Sequence, residues 1–129
     1  MIVIAVVQKS REFLIVRRKE NKSGLIWHFP GGSKEPGDGT EKHAAERETL
    51  EETGIICMAK KNIGSRVHPK TNAELSYWLC DYVSGEEKVR DEEELDMVKW
   101  ASGKDIIRLF GSDLFPPVKR YFQDHHNLL

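Results

Sequence analysis

The densest chemistry in this 129-residue sequence lies in Arg47-Glu48-Thr49-Leu50-Glu51-Glu52-Thr53-Gly54. On a helix, Glu48, Glu51 and Glu52 fall within an arc of about 100°, because positions i, i+3 and i+4 share a face. Ala44 and Ala45 lie on the same arc one turn earlier, so small side chains leave room beside the carboxylates. Leu50 points roughly opposite and is expected in the core. The clustering is locally unfavourable. Each like-charged i,i+3 or i,i+4 pair costs roughly 0.2–0.5 kcal/mol, and the last turn of a helix disfavours an anion by roughly 0.3–1 kcal/mol. Two readings account for it: a solvated acidic face, or oxygen ligands for a hard divalent cation such as Mg²⁺ or Mn²⁺. The preceding loop favours the second. Gly31-Gly32 and Pro36-Gly37-Asp38-Gly39 bring backbone close to the helix start, where N–H groups and carbonyls can meet a metal or a phosphate. Arg47 can neutralise part of the cluster or orient one of its carboxylates.

The elements that must hold these groups are readable in outline. Ile2–Gln8 and Phe13–Arg17 are apolar and β-branched around a turn at Lys9–Glu12, which predicts a hairpin. His28–Gly39 reads as a loop. Asp38 and Thr40 are both candidate N-caps, Asp38 having Glu41 at capping-box spacing. Glu41–Thr53 lacks Gly and Pro and predicts a helix stopped by Gly54. Ile55–Met58, the aromatic Leu75–Val83 and Met97–Ala101 predict strands. Ser102 caps a helix over Asp105–Phe110, and Pro117 begins another. This order predicts an α/β fold, a mixed sheet with helices on both faces.

Composition sets bounds. The length suits one domain over residues 1–129. A net charge of −1 gives no overall field toward nucleic acid, and no apolar run approaches the roughly 20 residues of a membrane-spanning helix. The near-neutrality is an average: residues 32–54 carry −4 and residues 86–96 carry −5, against a basic remainder. Cys57 and Cys80 form neither a disulfide framework nor a zinc set, so both read as small core residues in a reducing cytoplasm. His68 reads as a surface residue, and His125 and His126 as part of a tail.

Together these residues resemble the signature of the Nudix (MutT-like) hydrolases. The closing half, Arg47-Glu48-Thr49-Leu50-Glu51-Glu52-Thr53-Gly54-Ile55, matches except that Thr49 stands at an apolar place. In the opening half Asp38 stands where the family has Glu, and one extra residue separates it from Arg47. The resemblance implies a Nudix-type α/β/α sandwich that hydrolyses a nucleoside diphosphate linked to another group, assisted by Mg²⁺, with Mn²⁺ as a substitute. It makes Glu51 and Glu52 metal ligands, Glu48 a ligand or general base, the Gly31 carbonyl a further ligand, and Arg47 the group that orients Glu48. Asp91-Glu92-Glu93-Glu94 reads on its own as a solvated loop. The resemblance singles out Glu94, six residues before Trp100, as a contributor to the metal site, with Glu93 second.

For substrate, the resemblance implies phosphate contact by Arg18, with Arg17 facing the other way, and approach to phosphate by the Gly32 backbone. It makes Phe29 a stacking surface for the base, against a plain core role. Phe115-Pro116-Pro117-Val118-Lys119 resembles a segment that reads the base in relatives removing oxidised guanine nucleotides. Those relatives have Asn where Lys119 stands here, and Lys offers donors but no acceptor. The expected function is cleavage of an ordinary or modified (d)NTP to the monophosphate and pyrophosphate by a monomer or homodimer. The alternatives are hydrolysis of ADP-ribose, a nucleotide sugar or a dinucleoside polyphosphate, and a catalytically silent nucleotide-binding module. No nucleic-acid or membrane partner is expected.

Overall fold

The computed structural model describes residues 1–19 and 26–126. Strands β1 (Ile2–Lys9) and β2 (Glu12–Arg18) form the expected hairpin. Two short strands follow, β3 (Trp27–His28) and β4 (Gly31–Ser33), then a 3-10 turn at Pro36–Asp38 and helix α1 (Glu41–Thr53). Strands β5 (Ile56–Val67), β6 (Glu74–Ser84) and β7 (Leu95–Ser102) precede helices α2 (Gly103–Phe110) and α3 (Pro116–His126). The sheet runs β3-β2-β1-β6-β5, with β4 also on β1 and β7 on β2. Among the described residues only β1 and β6 pair in parallel, so the sheet is mixed.

Alternation along β1 divides the core. Val3, Ala5 and Val7 face α1, where they meet Ala44, Ala45, Ile55 and Cys80. Val6 faces the opposite layer with Phe13, Ile106, Phe110 and Phe122, and the rings of Phe13 and Phe122 stand 4.3 Å apart. Helices therefore cover both faces, as a Nudix-type α/β/α sandwich requires. Among the described residues no helix is long and apolar enough to cross a membrane.

Helix α1 has the expected bounds. Thr40, not Asp38, caps it, its hydroxyl accepting from the His43 N–H at 3.1 Å. Gly54 ends it in the left-handed region at φ 76°, its N–H donating to the Leu50 carbonyl. The helix is rotated relative to expectation. Ala44 and Ala45 are fully buried against the sheet, and Leu50 is 38% exposed. The buried face continues through Thr49 and Thr53, whose hydroxyls donate to the carbonyls four residues earlier, at 2.8 and 2.7 Å. Thr49 thus fills an apolar place without an unsatisfied hydroxyl. The alanines let the helix approach β1 closely; they leave no space beside the carboxylates.

Other boundaries differ for local reasons. Gly31–Ser33, expected as loop, pairs with Ile2–Ile4, where a Cβ on Gly31 would stand 2.5 Å from the Val3 carbonyl oxygen. β5 runs nine residues past Met58, through polar residues held by pairing with β6. α3 starts at Pro116 and extends through His125 and His126, so these are helical and do not belong to a tail. Cys57 and Cys80 are buried free thiols. Replacing Ala45 by Leu should lower the free energy of unfolding by about 1–3 kcal/mol, as overpacking does, measured by denaturant titration; unchanged stability would mean that space exists there.

Candidate active site

The site forms where β4, the loop at residues 34–40 and α1 converge. Arg47 ties them together. Its Nε and Nη2 donate to the two oxygens of Asp38 at 2.6 and 2.9 Å, and Nη2 also donates to the Ser33 carbonyl at 3.1 Å. Its Nη1 donates to Glu48 Oε1 at 3.0 Å and to Glu51 Oε2 at 3.2 Å. The guanidinium beside Asp38 holds that carboxyl down to about 2, with help from the Glu35 N–H, and Asp38 in turn raises the Arg47 pKa. Asp38 thus anchors Arg47 by a bidentate pair. The longer spacing is taken up by the 3-10 turn at Pro36–Asp38 and by Gly39, at φ 72°.

The three glutamates are unequal. Glu52 turns inward, its Oε1 accepting from the Gly31 N–H at 3.0 Å. Burial pushes its carboxyl up to about 7; that hydrogen bond opposes the rise, while Glu48 and Asp91 add to it. Glu48 lies against Gly32, where a Cβ would stand 2.5 Å from the carboxyl carbon. Its pKa is also raised by burial, against the pull of Arg47. The Glu48 side chain is only 14% exposed; that of Glu51 is 59% exposed and points toward Arg47. Among the described residues no three His, Cys, Asp or Glu side chains converge as a ready metal cluster, because Arg47 and the Gly31 N–H hold these carboxylates. The donor set nonetheless fits a hard cation. Two partly buried carboxylates with raised pKa values lie beside glycine backbone that no side chain obstructs, and added positive charge would relieve both.

The adjoining cleft has a volume of about 320 Å³. Glu52, Gly31, Gly32 and Arg18 line one part. Arg18 pairs with Glu94 at 3.0 Å across 76 residues of sequence, so the two expected residues meet at the cleft edge. Glu93 is exposed. Arg17 turns away, pairing with Asp96 at 2.7 Å and stacking on Trp27. Phe29 lines the cleft but is only 3% exposed and packs on Phe110 at 4.9 Å, so it serves mainly as core and floor. Lys119, expected at the base, is exposed on α3 and is not among the residues that line the cleft. Phe115 of the same segment does line it, stacked on Tyr77 at 4.5 Å beneath the Arg66 guanidinium.

Two histidines and an arginine of the lining were not foreseen. His28 comes from β3, Arg66 from β5, and His68, expected on the surface, is buried with its Nδ1 accepting from the Lys70 N–H at 3.0 Å. Strand alternation was the available signal for His28. It pairs with Val16, two residues from Arg18, and so shares a sheet face with Arg18.

Comparison with known proteins agrees with this architecture. Residues 1–122 match the family model described as NUDIX domain. A Bacillus subtilis (strain 168) protein, provisionally named an 8-oxo-dGTP diphosphatase, is 33% identical over 125 residues, covering 96% of this chain and 77% of its own. A Haemophilus influenzae (strain PittGG) NAD-capped RNA hydrolase is 32% identical over 102 residues, 78% of this chain but only 38% of that protein. The crystal structure of a MutT protein from Methanosarcina mazei Go1 superposes with a TM-score of 0.69 at 27% identity, covering 99% and 94% of the two chains. The chain belongs to the Nudix hydrolase family. It is accordingly a hydrolase of pyrophosphate bonds in nucleoside diphosphate derivatives, a class of enzyme that uses divalent metal ions.

Without metal, the inward carboxylate of Glu52 should cost stability. Its pKa is raised on folding from 4.5 to about 7. The folded state therefore binds this proton more tightly than the unfolded state, and stability falls as pH rises from about 4.5 to about 7. At about 1.4 kcal/mol per unit of displacement, Glu52→Gln should stabilise the metal-free protein by on the order of 2 kcal/mol more at pH 8 than at pH 5. Thermal melts in chelator at both pH values measure this; an equal effect at the two would contradict the inward, destabilised carboxylate.

Proposed function

We propose that this protein is a Mg²⁺-dependent nucleoside triphosphate pyrophosphohydrolase, converting a (d)NTP, ordinary or modified, to the monophosphate and pyrophosphate. The observation that carries the reading is the inward Glu52 carboxylate, raised to about 7, beside Gly31 and at the mouth of a cleft edged by Arg18. Glu48, Glu51, Glu52, the Gly31 carbonyl and Glu94 are the assigned metal ligands, with Mn²⁺ as a substitute for Mg²⁺. When bound, such ions neutralise phosphate oxygens and make a water more acidic. Removal of the proton from the attacking water is assigned to Glu48 or Glu52, both carboxylates with pKa values shifted toward neutrality. Arg47 keeps Glu48 oriented through its 3.0 Å hydrogen bond. Arg18 is assigned a phosphate oxygen, exchanging its exposed pair with Glu94, which in water contributes only about 0–1 kcal/mol. The Gly32 backbone contributes at the same edge.

The similarity to a NAD-capped RNA hydrolase favours, as second reading, another nucleoside diphosphate derivative. A panel of ribo- and deoxyribonucleoside triphosphates, 8-oxo-dGTP, ADP-ribose and NAD, assayed with and without Mg²⁺, separates the two. Monophosphate plus pyrophosphate from a triphosphate is the expected result. Glu52→Gln should lower kcat by about 10²–10⁴. Turnover confined to ADP-ribose or NAD would give the function to the second reading, and no metal-dependent turnover at all would leave a silent binding module.

A further inference from the structure

Nε2 of His28 is buried and, among the described residues, without a hydrogen-bond partner. The other ring nitrogen, Nδ1, stands 3.0 Å from the Phe29 carbonyl oxygen. A carbonyl can only accept, so Nδ1 carries the proton and Nε2 presents a lone pair. Burial, opposed by the Phe29 carbonyl and aided by the charge of Arg18, pushes the pKa of this ring down to about 4. The ring is thus neutral at physiological pH and Nε2 remains an acceptor. Buried polar atoms without partners are uncommon, because nothing replaces the hydrogen bond lost from water. The second cleft histidine shows the usual condition: Nδ1 of His68 accepts from the Lys70 N–H.

Position gives this orphan acceptor a meaning. His28 is held on a strand, paired with Val16, and lines the same cleft as Glu52 and Arg18. Phe29, Tyr77 and Phe115 line the cleft too, so the surroundings are aromatic and suit a planar base. Phosphate oxygens are acceptors and would be repelled by Nε2. We propose that His28 Nε2 accepts a hydrogen bond from an N–H of the substrate's nucleobase, which makes His28 a determinant of base specificity. This rests on the nucleotide-hydrolase reading above.

The test compares kcat/KM for nucleotides that differ by one base donor: ATP against purine riboside triphosphate, GTP against ITP, and UTP against N3-methyl-UTP. In at least one pair the donor-bearing member should be preferred tenfold or more. His28→Phe should abolish that preference by slowing the donor-bearing member alone, and His28→Gln, whose amide oxygen can accept, should restore part of it. Equal losses on both members, an unchanged ratio, or a preference that follows the ribose hydroxyls would overturn the proposal. Nitrogen-15 spectra of the histidines, with AMP, GMP, CMP or UMP added, do not depend on turnover. The His28 Nε2 resonance should move as that nitrogen becomes hydrogen-bonded to at least one of them. If the panel shows no hydrolysis but the resonance moves, the catalytic reading fails and this one stands. If no monophosphate moves it, this proposal fails whatever is hydrolysed.

Discussion

The site depends on the guanidinium of Arg47. Four carboxylates approach it within 3.4 Å, those of Glu35, Asp38, Glu48 and Glu51, and its Nη2 also donates to the carbonyl of Ser33 on β4. A planar fork of donors suits the task of keeping these anions close better than a lysine's single point. The same side chain fixes the loop, through Asp38, and the sheet, through Ser33. Because Asp38 sits in a compact 3-10 turn, the extra residue before Arg47 changes the path of the backbone and leaves the helix constellation intact.

Helix α1 then resolves its own electrostatic conflict by facing its acids inward toward donors. Glu41 accepts from the Ser76 hydroxyl and the Trp78 indole N–H, Glu46 from the Ala59 N–H, and Glu52 from the Gly31 N–H. Three of the helix's acids are therefore fastened to the sheet beneath it. Burial and donors balance differently in each: donors hold the Glu41 pKa low, whereas burial wins at Glu52 and raises it. The carboxylate that is least comfortable is the one that opens onto the cleft.

The strongly periodic elements were legible because local signals agreed. Thr40 and Gly54 delimit α1, Ser102 caps α2, and alternation sets the two faces of β1. What escaped was decided by tertiary contact. The helical wheel shows which residues share a face, but it does not say which face meets the sheet, so Leu50 and the alanines exchanged their expected roles. β4 contains two glycines and becomes a strand through pairing with β1. Of the candidate site, Arg47, Glu48 and Glu52 were visible in spacing alone, and the resemblance singled out Arg18 and Glu94 separately, without indicating that they pair. A segment resemblance fixes neighbourhood without fixing which side of α3 faces the cleft, so Lys119 falls outside the lining, and the alternation that carries His28 is readable only once β3 is known to pair with β2.

The two acidic segments meet at the C-terminus of α1, which explains how anions are tolerated there. The N–H groups of Lys88 and Arg90 donate to the carbonyls of Thr53 and Glu52, both at 3.0 Å, and the Arg90 guanidinium reaches the Leu50 carbonyl at 3.2 Å. The last carbonyls of the helix thus gain donors and a cation, offsetting a dipole that would otherwise oppose Glu51 and Glu52. The same docking brings Asp91 close enough to raise the Glu52 pKa and Glu94 close enough to pair with Arg18. A segment that by composition looks like a solvated acidic loop therefore does two opposed things: its backbone and basic residues stabilise the helix end, while its acids concentrate negative charge beside the cleft. That concentration is unfavourable for the protein alone and favourable for a protein that receives a cation with a polyphosphate, so the near-zero net charge of the chain conceals a division of charge suited to that ligand.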